Sequence, residues 1–185
     1  CDIDAAIIHE VLIPQLLEQN AMSRNELTYE DKKKAIEPAL LATAEALKIG
    51  MCMGLSRLRA LGRDHDGSPK ETDRKMPGAV AVSLSRDRTI TLKEPSLTLE
   101  EFETVLKPFL DTDLLYARET EYRMTNSIFA PVQDALDRCG LRASDVDLCM
   151  MAGGSSLIPQ VRDALSAWMP GARILSLEDR AHMTA

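Results

Sequence analysis

Two glycines and two serines, Gly153, Gly154, Ser155 and Ser156, interrupt an apolar run in the stretch MAGGSSLIPQV. Side-chain-free backbone lets a ligand come close to the main chain. A strand that ends in such a turn and hands over to a helix start exposes N–H groups that favour negative charge. The two hydroxyls add donors. In open α/β sheets, ligands sit beyond the carboxyl ends of strands. The chemistry on offer is therefore the binding of an anion or another ligand. The same residues also suit an ordinary strand-to-helix turn, and spacing alone leaves both readings open.

The other reactive side chains are scattered. Cys1, Cys52, Cys139 and Cys149 form no C-x-x-C pair, and two sit in Met-rich apolar runs, GMCMG and DLCMMA. They read as buried, reduced thiols, and a reducing cytoplasm is the simplest compartment. His9, His65 and His182 are far apart in sequence. His65 lies in the polar stretch GRDHDGSPK, where a turn and a metal site are the two options.

The elements that must position these residues follow from periodicity. Residues 2–19 carry apolar side chains at helical spacing, with Pro14 expected to kink or shorten the helix. Thr28 and Asp31 suggest a capping box, and a helix is expected from about 29 to 50, with Pro38 as an interruption. Residues 54–78 read as a polar loop. AVAVSLSRDRTITL alternates, which predicts a β-hairpin near 79–84 and 88–92. Thr98 and Glu101 form a second capping box ahead of a helix that aligns Leu99, Phe102 and Leu106. Residues 110–140 read as one long helix or two, with Ile128, Val132 and Leu136 on one face and Gly140 as the stop. A short buried strand then leads to the glycine turn. Pro159 suits the first turn of the next helix, ARILS is a second strand, and Ser176 with Asp179 would cap a final helix. Strands alternating with helices predict an α/β class with parallel pairing.

The chain has 185 residues, 45% hydrophobic and only 4% aromatic, so its core rests on aliphatic side chains. A net charge of −7 argues against a nucleic-acid backbone as partner. No run of about 18 apolar residues suggests a membrane span, and no basic-then-apolar leader opens the chain. Both ends read as cut from a longer protein.

The segment DVDLCMMAGGSSLIPQVRDALSAWM resembles the adenosine-side signature of the 70-kDa heat-shock protein (DnaK-like chaperone) family, within the actin-like ATPase superfamily. FAPVQDALDRCGL is similar to that family's preceding helix, LEDRAHMTA to its next helix start, and CDIDAAI to the end of its Gly-Gly-x-Asp-Phe-Asp segment. The likeness is collinear over nearly the whole chain, strongest from about 126 to 185 and weakest from about 55 to 78. It implies lobe II of a nucleotide-binding domain, an α/β lobe of the actin-like (ribonuclease H-like) fold. Residues 1–20 would be the inner-subdomain entry helix, 21–125 a helical-plus-hairpin outer subdomain, and 126–185 the inner α/β subdomain.

The resemblance also implies a site. Glu45 and Lys48 in AEALKIGMCM occupy the positions of ribose-binding residues, Gly153, Gly154 and Ser155 line the adenosine, and Asp179 stands near it. Ile49 and Leu157 replace two arginines that often sandwich the adenine, so a cation–π attraction of about 0.5–2 kcal/mol per face is absent. Cys52 replaces a pocket serine and donates more weakly. The ligand would be ATP or ADP, with Mg²⁺ held mainly by a lobe upstream. Phosphate loops are missing here, so this lobe should not hydrolyse ATP by itself. Nucleotide-exchange factors and J-domain co-chaperones would be partners. The helical stretch between Phe102 and Phe129 would be a lineage-specific extension. Two alternatives stand beside this reading: an interaction module with a decayed nucleotide site, and an actin-like or sugar-kinase relative.

Overall fold

The computed structural model of the chain describes residues 2–63, 72–85, 87–113, 118–119 and 124–176. Cys1, His65, His182, Asp179 and the helix expected beyond Ser176 lie outside these residues. The class is mixed α/β, and contacts divide the chain into two units, 1–106 and 107–185.

The first unit opens with one continuous helix in three parts: α1 (Asp2–Ile7), a π-helical turn (Ile8–Leu12) and α2 (Ile13–Gln19). Pro14 does not end it. Proline lacks an N–H and its ring crowds the carbonyl four residues back, and the wider turn just before it absorbs that conflict. The same device recurs. A second π-helical turn (Asp31–Ile36) precedes Pro38 and runs into α3 (Glu37–Ala60). Apolar residues at helical spacing then build the core: Ile7, Leu12 and Leu16 from the first helix, and Leu40, Ala44, Leu47 and Met51 from α3, are all at most 1% exposed.

Helix α3 continues ten residues past Gly50, through part of the expected loop. Gly50 and Gly54 lie inside it, although glycine weakens helices by about 1 kcal/mol each. The reason is Arg74, far along the chain. Its side chain lies across the helix, and its Nε donates to the Gly50 carbonyl at 2.8 Å. A Cβ on Gly54 would sit 1.9 Å from Arg74 Nη2. The glycines are the bed for this arginine. Gly54→Ala is therefore expected to change stability little, because lost arginine contacts offset gained helix propensity. In an Arg74→Ala background the same change should stabilise by about 1 kcal/mol. Urea denaturation of the four variants reads the cycle, and an identical effect in both backgrounds would contradict it.

Residues 31–60 are also long and apolar enough to cross a bilayer, with a window of mean hydropathy 1.3. Their inward face packs on α1 instead and carries the buried Lys48, described below.

The hairpin is β2 (Ala79–Leu84) against β3 (Arg88–Lys93), antiparallel, with Val82 opposite Ile90 and Val80 opposite Leu92. Before and after it, β1 (Arg74–Lys75) pairs with β4 (Ser96–Leu97). A two-stranded hairpin alone is marginal in water. Here the edge running from β3 to β4 is covered by side-chain amides from α2 and the residue after it. Asn20 Nδ2 donates to the Thr91 carbonyl at 2.9 Å while Thr91 N–H donates to Asn20 Oδ1 at 3.2 Å. Gln19 does the same with Lys93 at 3.0 and 2.7 Å. Gln15 repeats it with Ser96 at 2.9 and 3.1 Å. Each amide presents one donor and one acceptor, as a neighbouring strand would.

Both capping boxes form. Thr98 N–H donates to Glu101 Oε2 at 2.8 Å and Glu101 N–H returns to Thr98 Oγ1 at 3.2 Å, starting α4 (Leu99–Leu106).

The second unit departs from expectation first. Among the described residues of this stretch, 110–113, 118–119 and 124–128 are not helical. Pro108 closes the helical path in a 3₁₀ turn (Lys107–Phe109), Asp111 accepts from Asp113 N–H, and β5 (Arg118–Glu119) pairs antiparallel with β6 (Met124–Thr125). Helix α5 (Phe129–Cys139) begins only there and ends, as expected, at Gly140 with φ 65°. Its inward residues are Phe129 and Leu136, with Val132 half-buried between them, while Ile128 sits at the cap. Phe129 meets Trp168 at 5.0 Å between ring centres. Strands β7 (Leu148–Met151) and β8 (Arg173–Ser176) pair in parallel through α6 (Pro159–Trp168), a β–α–β unit.

Candidate functional site

The glycine turn sits at the carboxyl end of β7. Gly153 has φ 90°, a conformation open to glycine and strained for other residues, and a 3₁₀ turn (Gly154–Leu157) follows. Ser156 closes the turn: its N–H donates to the Gly153 carbonyl at 3.0 Å and its hydroxyl to the same oxygen at 2.6 Å. Pro159 occupies the first turn of α6, where its missing N–H is no loss. Among the described residues, a Cβ on either Gly153 or Gly154 would meet nothing within 4 Å. Gly153 is thus required by its backbone angle, whereas packing does not demand Gly154. Both glycines are exposed, Ser155 is half-buried, and Leu157 is 45% exposed.

Strand β7 differs from the expected buried strand. Leu148 and Met150, on one face, are 49% and 54% exposed, and only Met151 is buried. With β8 as its one partner among the described residues, the strand lacks the cover a parallel sheet normally has on both faces. The thiols differ too. Cys139 is exposed at the end of α5 and Cys149 half-buried, so only Cys52 matches the buried reading among those described. The exposed position of Cys139 follows from its place on the outward face of the last helical turn.

In the first unit, Glu45, Lys48, Ile49 and Cys52 share one side of α3, within an arc of about 100° at 100° per residue. The arc straddles the edge of the packed face. Glu45 is exposed and Ile49 is 49% exposed, whereas Lys48 and Cys52 are 7% and 8% exposed. Lys48 does not point outward beside Glu45. Its Nζ lies 2.7 Å from Asp4 Oδ1, and both side chains are more than nine-tenths buried. Asp4 escaped the sequence reading, because an acidic residue in a helix's first turn is already accounted for by the helix dipole. Burial pushes the Cys52 thiol up to about 11 despite the pull of nearby Lys48, so it is a poor nucleophile.

The turn of the second unit holds Gly153, Gly154, Ser155 and Leu157 together, while Glu45, Lys48, Ile49 and Cys52 are gathered on α3 in the first. No cluster of three or more His, Cys, Asp or Glu is placed to hold a metal ion among the described residues. No protein-family model matches the chain.

Proposed function

We propose that the chain is the adenine-nucleotide-binding lobe of a heat-shock-chaperone-like ATPase. In the parent, ATP binding and hydrolysis would couple to client binding or protein folding. The observation that carries this reading is the bare turn at Gly153 and Gly154, at the carboxyl end of a parallel strand and with no described neighbour within 4 Å of an added Cβ. A nucleoside needs that clearance and the turn's backbone donors. ATP would bring its Mg²⁺, with the phosphates and metal gripped by sequence outside these 185 residues. The actin-like fold and the three-part division at 1–20, 21–125 and 126–185 belong to the same proposal.

ADP titrated into the protein tests it. Ligand at about ten times Kd should stabilise the fold by about 1.4 kcal/mol. Amide resonances of residues 153–157 should shift, and Gly154→Val, which crowds the space without touching any described neighbour, should abolish both effects. A saturating shift that survives Gly154→Val, or none at all, would overturn the reading.

The buried Lys48–Asp4 pair favours a second reading, an interaction module whose nucleotide site has decayed. Absence of any thermal shift with ATP or ADP would support that alternative.

A further inference from the structure

The first helix and α3 are tied together at two heights. Asp4 and Lys48 form one tie. The other lies at the opposite end of the contact, where both π-helical turns fall. His9, on the first turn, is 2% exposed, and its Nε2–H donates to Glu37 Oε1 at 2.5 Å. Glu37 is the residue immediately after the second π-helical turn and immediately before Pro38. The same oxygen, Oε1, also takes Lys33 Nζ at 2.6 Å. Lys32, 7% exposed, adds a second positive charge nearby. The carboxylate is therefore already balanced by a lysine when His9 is neutral. A proton added to the ring would leave an excess positive charge in a covered place, facing Lys33 and Lys32.

We infer that His9 and Glu37 form an acid-sensitive clasp, which holds the two π-helical turns together when the imidazole is neutral and loosens them when it is protonated. The Asp4–Lys48 tie does not involve His9, so it stays closed as the other opens. The segment that loosens is already the least regular part of the helix pair, because π-helical turns and prolines both weaken the ordinary hydrogen-bond ladder. Opening there also reaches Asp31, at the start of the second turn, which anchors the hairpin through Ser85 N–H at 2.9 Å.

The direction of the effect follows from linkage. Burial outweighs the pull of Glu37 and lowers the folded-state pKa of His9 below its ordinary 6.5. Its contribution to stability is complete above about pH 6.5 and declines as pH falls below it. Glu37 is shifted down as well, the bonds from Lys33 and His9 overcoming the opposing effect of burial, and its contribution is lost only below about pH 4.5. The two windows are separate, so a response between pH 6.5 and 5.5 that is lost in His9→Gln belongs to the His9 ring.

Amide hydrogen exchange of the full chain at pH 7.5 and 5.5, corrected for the intrinsic pH dependence of exchange, tests the clasp. Residues 8–12 and 31–38 should open more readily at pH 5.5, by up to about tenfold for one pH unit below 6.5. Residues 40–52 of α3 should be unchanged. In His9→Gln, which keeps an N–H donor but cannot gain a charge, the difference should vanish. Equal corrected exchange at both pH values in the native protein would overturn the inference, as would acceleration that persists in His9→Gln. Should that variant fail to fold, an NMR titration of the His9 ring in the native protein decides: a midpoint below 6.5 supports the clasp, and one at or above 6.5 overturns it.

Discussion

Lys48→Met should destabilise the protein by about 3–5 kcal/mol, the cost of leaving a buried charge without its partner. Lys48 Nζ and Asp4 Oδ1 are 2.7 Å apart, and their side chains are 9% and 4% exposed. Desolvation of both groups is offset by their mutual attraction, so removing one withdraws the close opposite charge from the other. Replacing both tells a different story. Asp4→Leu with Lys48→Met removes the charges together, and such swaps are often neutral or stabilising. The double variant should lie within about 1 kcal/mol of the parent, allowing for the helix-dipole benefit that Asp4 gives up. Urea denaturation of the four proteins yields the coupling. A Lys48→Met cost below about 1 kcal/mol would mean the ammonium already reaches solvent, since exposed pairs contribute no more than that.

Asp31→Ala is the second large effect, expected at about 2–4 kcal/mol, because several donors lose one acceptor. Asp31 is 4% exposed. Its Oδ2 takes Thr28 N–H at 3.1 Å and the Thr28 hydroxyl at 2.7 Å, and its Oδ1 takes Ser85 N–H at 2.9 Å. One carboxylate thus caps a helix start and fastens the hairpin to it. Burial alone would raise its pKa. The bonds from Thr28 and Ser85 more than reverse this and hold it well below the usual carboxylate range. The folded value lies below the unfolded one, so this stabilisation is present above about pH 4 and is lost as acid protonates the group. Asp31→Asn should be less damaging at pH 7, since its carbonyl still accepts, and should show a shallower fall in stability between pH 4 and 2. Equal pH profiles for Asp31→Asn and the native protein would refute the assignment.

What could be read in advance was local. The hairpin follows from strict alternation over a few residues, and the Thr98 box from two residues three apart. Gly140 and Pro159 punctuate their helices for the same reason. The misreadings at Gly50, Gly54 and Lys48 involve partners distant in sequence. Gly50 and Gly54 read as helix enders because Arg74, their occupant, is about 20 residues away. LDTDLLYARETEYRM has enough leucine and glutamate to suggest a helix, but Pro108 precedes it and the described residues 118–119 and 124–125 pair as short strands. Of the candidate site, the turn at Gly153–Gly154 was legible from composition, since bare backbone after an apolar run has few uses. The inward turn of Lys48 was not, because a lysine three residues after a glutamate looks like surface, and only the packing of α1 reveals Asp4.

The amides of Gln15, Gln19 and Asn20 have a consequence for how the molecule is made. They precede their backbone partners by 71 to 81 residues. During synthesis the first helix is thus finished well before β3 leaves the ribosome, and the nascent strand meets its guard on arrival. A circular permutant that delivered residues 2–20 after the hairpin would leave that strand bare for a time, and its yield of monomer should fall through strand-to-strand association between nascent copies.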